Sequence, residues 1–329
     1  MKYATYLCGL ISFVVVWLAV PWLIRYLKRL GMVVKDMHKQ DKPLIPVSGG
    51  LGVMAGIFIG LMCFIFFRTF FVGVSSHELP LFIDLFAAIT SILMVCFVGF
   101  IDDSIIKKNH DTSSGLKQWQ KPLLTLVAAV PLMVVKAGTT IMLFPFLGRI
   151  DVGLLYPLLF VPIGVVGAAN MVNLLGGFNG MEAGMGIIYT GMLGLYAYVN
   201  GSYIASVIAF ITFCSLIAFY YYNKVPAQIL AGDSLTYLLG AVIACIAILG
   251  DIERAALISS IPFVFEFFLK ARGKFKKQSY GYYEDGKVHS LYDKIYSIPH
   301  FFTRTGKFTE KQVVYFMIII QLIFSSLIW

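Results

Sequence analysis

Charge is what this sequence has least of. Only 13% of its 329 residues are charged, roughly half the share of a soluble domain. By contrast, 59% are hydrophobic and the mean hydropathy is +0.84. A soluble fold of this length cannot hide so much apolar surface, whereas lipid solvates it. Cysteine is scarce too: Cys8, Cys63, Cys96, Cys214 and Cys245 lie singly inside apolar stretches, never as a CxxC pair. That excludes a disulfide framework and a zinc module. No aromatic–basic RNA motif accompanies the net charge of +9, so the charge is no argument for nucleic acid. Nor is there a convincing internal repeat, and many transporters are built from paired halves.

What is present is a series of apolar windows, at 6–27, 49–70, 81–101, 119–135, 153–172, 184–199, 203–222, 235–249, 255–269 and 313–329. The expectation is an all-α polytopic membrane protein of about ten transmembrane helices, forming a single integral-membrane domain over 1–329. The first window is too long for a signal peptide, contains Trp17 and Trp22, and precedes no small-residue cleavage site, so it reads as a retained helix. With both termini outside, 21 of the 26 lysines and arginines fall on the loops of one side, and the positive-inside rule makes that side cytosolic. The opposite side keeps Lys2, Arg68, Lys136, Arg149 and Arg254. Segments 139–144 and 148–153 flank a Pro–Phe–Leu turn and predict a small extracytosolic β-hairpin.

The acids gather at the cytosolic ends of these windows, where an ionisable group is a functional candidate by default. Asp102 and Asp103 end the third window. Adjacent carboxylates repel, so such a pair calls for a shared proton or a cation, against the plainer reading of a polar helix end. Asn170, Asn173 and Asn179 start on one helix face and run into the glycine-rich stretch Gly176–Gly177–Phe178–Asn179–Gly180–Met181–Glu182. Amide oxygens suit Mg²⁺, amides read nucleobase edges, and glycine admits close backbone approach. A helix-capping turn needs one asparagine rather than three. Gly232–Asp233–Ser234 opens the eighth window, where an aspartate is either an ordinary N-cap or the holder of a phosphate's metal. Lys121 opens the fourth window as a snorkelling lysine or a phosphate ligand. Glu266 lies about a turn inside the ninth and needs a partner. His289, taken alone, reads as a solvated loop histidine.

Together, and in this order, these segments resemble the polyprenyl-phosphate N-acetylhexosamine-1-phosphate transferase family over nearly the whole chain. The bacterial peptidoglycan branch reads N-x-x-N-L-T-D-G-L-D-G in the second cluster; this chain has Gly176 and Asn179 where those aspartates stand. Asn179–Gly180–Met181–Glu182–Ala183–Gly184 is instead similar to the N-G-L-E-A-G of the dolichyl-phosphate GlcNAc-1-phosphate transferase branch, archaeal or eukaryotic-like. The resemblance implies Mg²⁺ as cofactor, held by Asn173 and Asp233, with Asp102, Asp103 and Lys121 catalytic. It places Asn170, Gly177, Asn179 and Glu182 on the substrate, and matches 42–50 to the first cytosolic motif. The last loop departs from the family's Arg–His–Arg or histidine cluster, leaving Lys287 and His289 as the expected cations there. The implied partners are UDP-GlcNAc and dolichyl or another polyprenyl phosphate, with a homodimer admitted and nucleic acid excluded. The implied reaction transfers GlcNAc-1-phosphate to the lipid and releases UMP, at a site facing the cytosol of an archaeal plasma membrane or of the endoplasmic reticulum. The alternatives are another UDP-N-acetylhexosamine or undecaprenyl phosphate, and, at a distance, a transporter. A CDP-alcohol phosphotransferase is excluded by the missing D-G-x-x-A-R.

Overall fold

A computed structural model describes residues 2–76, 78–106, 115–144 and 148–329. The apolar windows become helices: α1 (Lys2–Leu30), α2 (Gly50–Phe67, prolonged by a π turn, Arg68–Val72), α3 (Leu79–Ile106) and α4 (Gln120–Val134). A second π turn (Tyr156–Phe160) leads into α5 (Val161–Leu174), followed by α6 (Met181–Val199), α7 (Tyr203–Asn223) and α8 (Gly232–Gly250). The chain ends with α9 (Glu253–Ser259), α10 (Ile261–Arg272), the one-turn α11 (His300–Thr303) and α12 (Glu310–Ser326).

Among the described residues, six helices are long and apolar enough to cross a membrane: Ala4–Leu30, Gly50–Val72, Leu79–Ile105, Tyr156–Leu174, Tyr203–Asn223 and Gly232–Gly250. The protein is therefore a helical membrane protein, but the expected count of ten exceeds the helices that meet this measure. The reasons are local. Helix α4 has only 15 residues and α12 only 17. The ninth window breaks at Ser260 into α9 and α10, with Pro262 starting the second piece. Helix α6 has 19 residues, but four glycines and three tyrosines dilute its apolarity.

Among the described residues, three two-stranded antiparallel hairpins decorate the loops: β1 (Val33–Lys35) with β2 (Leu44–Pro46), β3 (Ile141–Phe144) with β4 (Gly148–Asp151), and β5 (Gly281–Glu284) with β6 (Lys287–Ser290). The second is the hairpin expected from the sequence, paired from Ile141–Asp151 to Phe144–Gly148. Its turn, like Asp111 of the third loop, lies outside the described residues. The first and third were not foreseen, because three- and four-residue strands leave little alternation to detect.

Helix α8 forms the centre, buried along most of its length and packed against α2, α3, α5 and α7. The outer helices turn Leu18, Trp22, Phe97, Val130, Ile163 and Phe268 outward, an apolar surface suited to lipid rather than water. One contact decides where the acids sit. A Cβ at Gly99 would collide with the Asp233 backbone, so glycine there lets α3 close onto the start of α8. Asp103, one turn further along α3, then reaches the first amides of α8.

Candidate active site

Asp103 is buried and takes three donors. Ser48 Oγ donates at 2.7 Å, Asp233 N at 2.7 Å and Ser234 N at 3.1 Å. A helix start leaves its first amides without internal partners, and here a carboxylate from another helix supplies what a local N-cap side chain would. Gly232, with φ +71°, makes the turn, and a Cβ there would strike the Asp103 carboxylate at 2.5 Å. Asp103 therefore locks α3 to α8, with Ser48 tying in the loop between α1 and α2.

Asp102, also buried, accepts the Leu116 N–H at 2.5 Å and lies 2.5 Å from Lys121 Nζ. The same amine reaches Asp233 Oδ2 at 3.3 Å and stands 5.9 Å from the centre of the Tyr237 ring. Lys121 thus bridges the end of α3 and the start of α8 from the first turn of α4. Asn173, in the last turn of α5, completes the cluster: its Nδ2 is 3.4 Å from Asp233 Oδ2, and its Oδ1 accepts from Thr236 Oγ1 at 2.7 Å. Two carboxylates, Asp102 and Asp233, therefore share one ammonium, and the Asp103 carboxylate adjoins them through the Asp233 amide, an uncompensated negative charge that a protein interior does not favour.

These groups open into a cavity of about 640 Å³, a size typical of small-molecule sites. It brings together Asp102, Asp103, Lys121, Asn170, Asn173, Gly177, Asn179, Glu182 and Asp233, nine of the eleven residues expected from the sequence. Helix α5 ends in the glycine-rich turn, whose Gly177 N–H donates to Glu182 Oε1 at 2.7 Å. Glu182 thereby braces the turn from the first turn of α6. Asn170 faces back into the fold, donating to Thr125 Oγ1 and Val166 O at 3.1 and 2.8 Å.

Lys287 and His289 are not brought to this cavity. They sit on β6, where His289 stacks on Tyr282 with ring centres 5.5 Å apart and lies 4.0 Å from Glu284. The last turn of α10 lends the cavity Lys270 instead, and the loop that follows lends Lys277, Gln278 and Tyr280. Lys277 Nζ lies over the Tyr292 ring at 4.7 Å. Lys270 is buried and donates to Lys277 O at 2.8 Å and Ser279 Oγ at 2.7 Å. Sequence reasoning missed these because the loop's basic run carries no periodicity that singles out one lysine.

Glu266 finds the partners it needed. Ser297 Oγ donates at 2.7 Å, Ile298 N at 2.8 Å, and Lys270 Nζ lies 3.7 Å away. Nearby, His300 Nδ1 accepts from Tyr296 N at 3.2 Å, which leaves Nε2–H for Gln278 O at 3.1 Å. Burial, with the Lys270 charge adding to it, pushes the His300 imidazole down to about 4. It stays neutral and pins the loop over the cavity.

Comparison with known proteins adds an independent line. The glycosyl transferase family 4 signature matches residues 85–251, the stretch from α3 to just past α8. A Saccharolobus solfataricus protein named as a UDP-N-acetylglucosamine–dolichyl-phosphate N-acetylglucosaminephosphotransferase is 35% identical, covering 96% of this chain and 93% of its own. Its namesake in Sulfolobus acidocaldarius is 31% identical over 97% and 93%. A phospho-N-acetylmuramoyl-pentapeptide-transferase of Lactiplantibacillus plantarum is 32% identical over 78% of each chain.

Proposed function

The chain belongs to glycosyl transferase family 4, and from that premise we propose that it transfers GlcNAc-1-phosphate from UDP-GlcNAc to dolichyl phosphate, releasing UMP. The observation that carries this reading is the surplus of carboxylates around Lys121 in a cavity that also gathers the glycine-rich turn. Phosphoryl transfer asks the protein for charge neutralisation and in-line positioning more than for covalent help. The named relatives support GlcNAc as the sugar and dolichyl phosphate as the acceptor.

The donor set suits a hard divalent cation such as Mg²⁺. Asp233 supplies a carboxylate oxygen and Asn173 an amide. Because the Thr236 hydroxyl can accept as well as donate, turning that amide over keeps the Thr236 bond and aims the oxygen at Asp233. Bound there, the cation would neutralise pyrophosphate charge and the departing UMP.

The chain's own residues divide the remaining work. Asp103 is saturated by its three donors and sets the α3–α8 geometry. Asp102, paired mainly with Lys121, is the carboxylate free to take a proton from the lipid phosphate, modest help for a group whose second pKa is about 6. Lys121 offers positive charge to the phosphates, joined by Lys277 from the last loop. A phosphate oxygen of the lipid attacks the β-phosphorus, the bond between that phosphorus and the bridging oxygen breaks, and UMP departs in a single displacement. Gly177 and Asn179 line the uridine end. The concentration of basic residues on these loops supports a cytosolic site, and α4, α6, α9 with α10, and α12 would complete ten crossings as members of the bundle.

The test is transfer itself. Purified protein in detergent is incubated with radiolabelled UDP-GlcNAc, dolichyl phosphate and Mg²⁺. Label entering the organic phase with stoichiometric UMP is the expected result. Transfer only with another UDP-N-acetylhexosamine or undecaprenyl phosphate would overturn the substrate assignment, and none with any pairing would overturn the reaction.

A further inference from the structure

Asn179 is gripped at two points by carboxylates that lie far from it in the chain. Its backbone N–H donates to Glu310 Oε1 at 3.1 Å, in the first turn of α12. Its side-chain Nδ2 donates to Asp36 Oδ2 at 2.8 Å, just past β1. Asp36 is itself fixed: its Oδ1 accepts from His38 N at 3.1 Å, and Lys39 Nζ lies 3.7 Å from Oδ2. The His38 ring stacks on Phe178 with centres 4.4 Å apart and binds Glu310 through Nδ1 at 3.2 Å. Asp36 is 3% and Asn179 4% exposed, and both line the cavity.

An amide can turn over to present either end, unless a neighbour forbids it. A carboxylate only accepts, so Asp36 obliges Asn179 to spend its NH₂ group there. One N–H is spent on that carboxylate and the amide cannot turn over, so a ligand always meets the carbonyl oxygen, an acceptor, in the same place, whatever the second N–H does. Uracil carries an N–H between its two carbonyls and can donate to it; cytosine has a bare, accepting nitrogen at that place and cannot. We infer that Asp36 is a positioning residue that holds the Asn179 amide in one orientation and thereby selects uracil over cytosine nucleotides. The inference rests on the reading that the cavity takes a UDP-sugar.

The measurement is calorimetric affinity for UMP and for CMP, made on purified protein whose folding is checked by thermal unfolding. The unaltered protein is expected to favour UMP by roughly tenfold or more, since a buried acceptor left facing another acceptor is costly. Asp36→Asn lets the amide turn either way, and the UMP-to-CMP ratio is expected to fall severalfold toward one. A merely structural role for Asp36 would weaken both nucleotides alike and leave the ratio unchanged, which would overturn the inference. The exchanged pair Asp36→Asn with Asn179→Asp again fixes an acceptor at 179 and is expected to restore the preference. Should Asp36→Asn alone not fold, this exchanged pair decides: a lost preference refutes the inference. An unaltered protein that transfers sugar phosphate yet binds UMP and CMP equally refutes the inference alone. One that neither transfers nor binds either nucleotide removes the underlying reading as well.

Discussion

Two buried acid clusters lie beside the same cavity, and they are built on opposite principles. Around Glu266, Ser297, Ile298 and Lys270 supply donors and one positive charge for one carboxylate. Around Lys121, Asp102 and Asp233 share one ammonium, and Asp103 beside them is met by a hydroxyl and two backbone amides rather than by a cation. Leaving buried charge uncompensated costs several kcal/mol, so a balanced cluster is scaffolding and an unbalanced one implies a missing cation or substrate. Depth of burial does not separate Glu266 from Asp102 and Asp103, all fully buried, but in the unbalanced cluster Lys121 and Asp233 stay partly open to the cavity.

The contrast can be broken from either side. The largest effect is expected in the unbalanced cluster. Asp233→Asn should lower turnover by about a thousandfold or more, as loss of a charge-stabilising group does, with little change in thermal unfolding. A steady-state transfer assay alongside an unfolding curve checks both halves. In the balanced cluster the effect should invert. Glu266→Ala strands Lys270 and should cost roughly 3–5 kcal/mol of stability, read as a large fall in unfolding temperature at a protein concentration where the parent is intact.

Smaller effects sharpen the comparison within the last loop. Lys277→Ala should reduce kcat/KM for the UDP-sugar by roughly tenfold, the loss of one charge-assisted contact. His289→Ala, at a half-exposed site away from the cavity, should stay within about twofold of the parent. Kinetics of the two variants side by side would reveal a reversed order. The smallest effect concerns pH. His300 is depressed to about 4 in the fold, against about 6.5 in an unfolded chain. Its contribution is therefore fully present above about pH 6.5 and is lost as pH falls toward 4, because only the unfolded chain takes up the proton in that window. Unfolding temperatures between these limits should drop more steeply for the parent than for His300→Gln.

Much of the site was legible because helix ends fix spacing. Asp102–Asp103, Asn170 and Asn173, and Asp233 each sit where an apolar window begins or ends on one side of the bundle, and the family resemblance gathered them into one site. The chain gave no such handle on residues whose place depends on loop register. Lys277 and His289 lie twelve residues apart in the same basic segment, and only the β5–β6 pairing of Tyr282 with His289 turns one away from the cavity. Asp36 lies in a loop outside these motifs, and because its bond to Asn179 spans 143 residues, no local pattern announces it. The expected ten spans exceed the six long apolar helices for a related reason: apolarity marked α4 and α6, while length and glycine content set them apart from those six.

The claim that the charge imbalance marks the working site is tested most directly by manganese binding. Mn²⁺ is a spin-active stand-in for Mg²⁺ at oxygen ligands. Titrating the purified protein and following free Mn²⁺ by electron paramagnetic resonance should reveal one tight site, abolished in Asp233→Asn and retained in Glu266→Gln. Undiminished binding in Asp233→Asn, or loss in Glu266→Gln with the fold intact, would contradict the account.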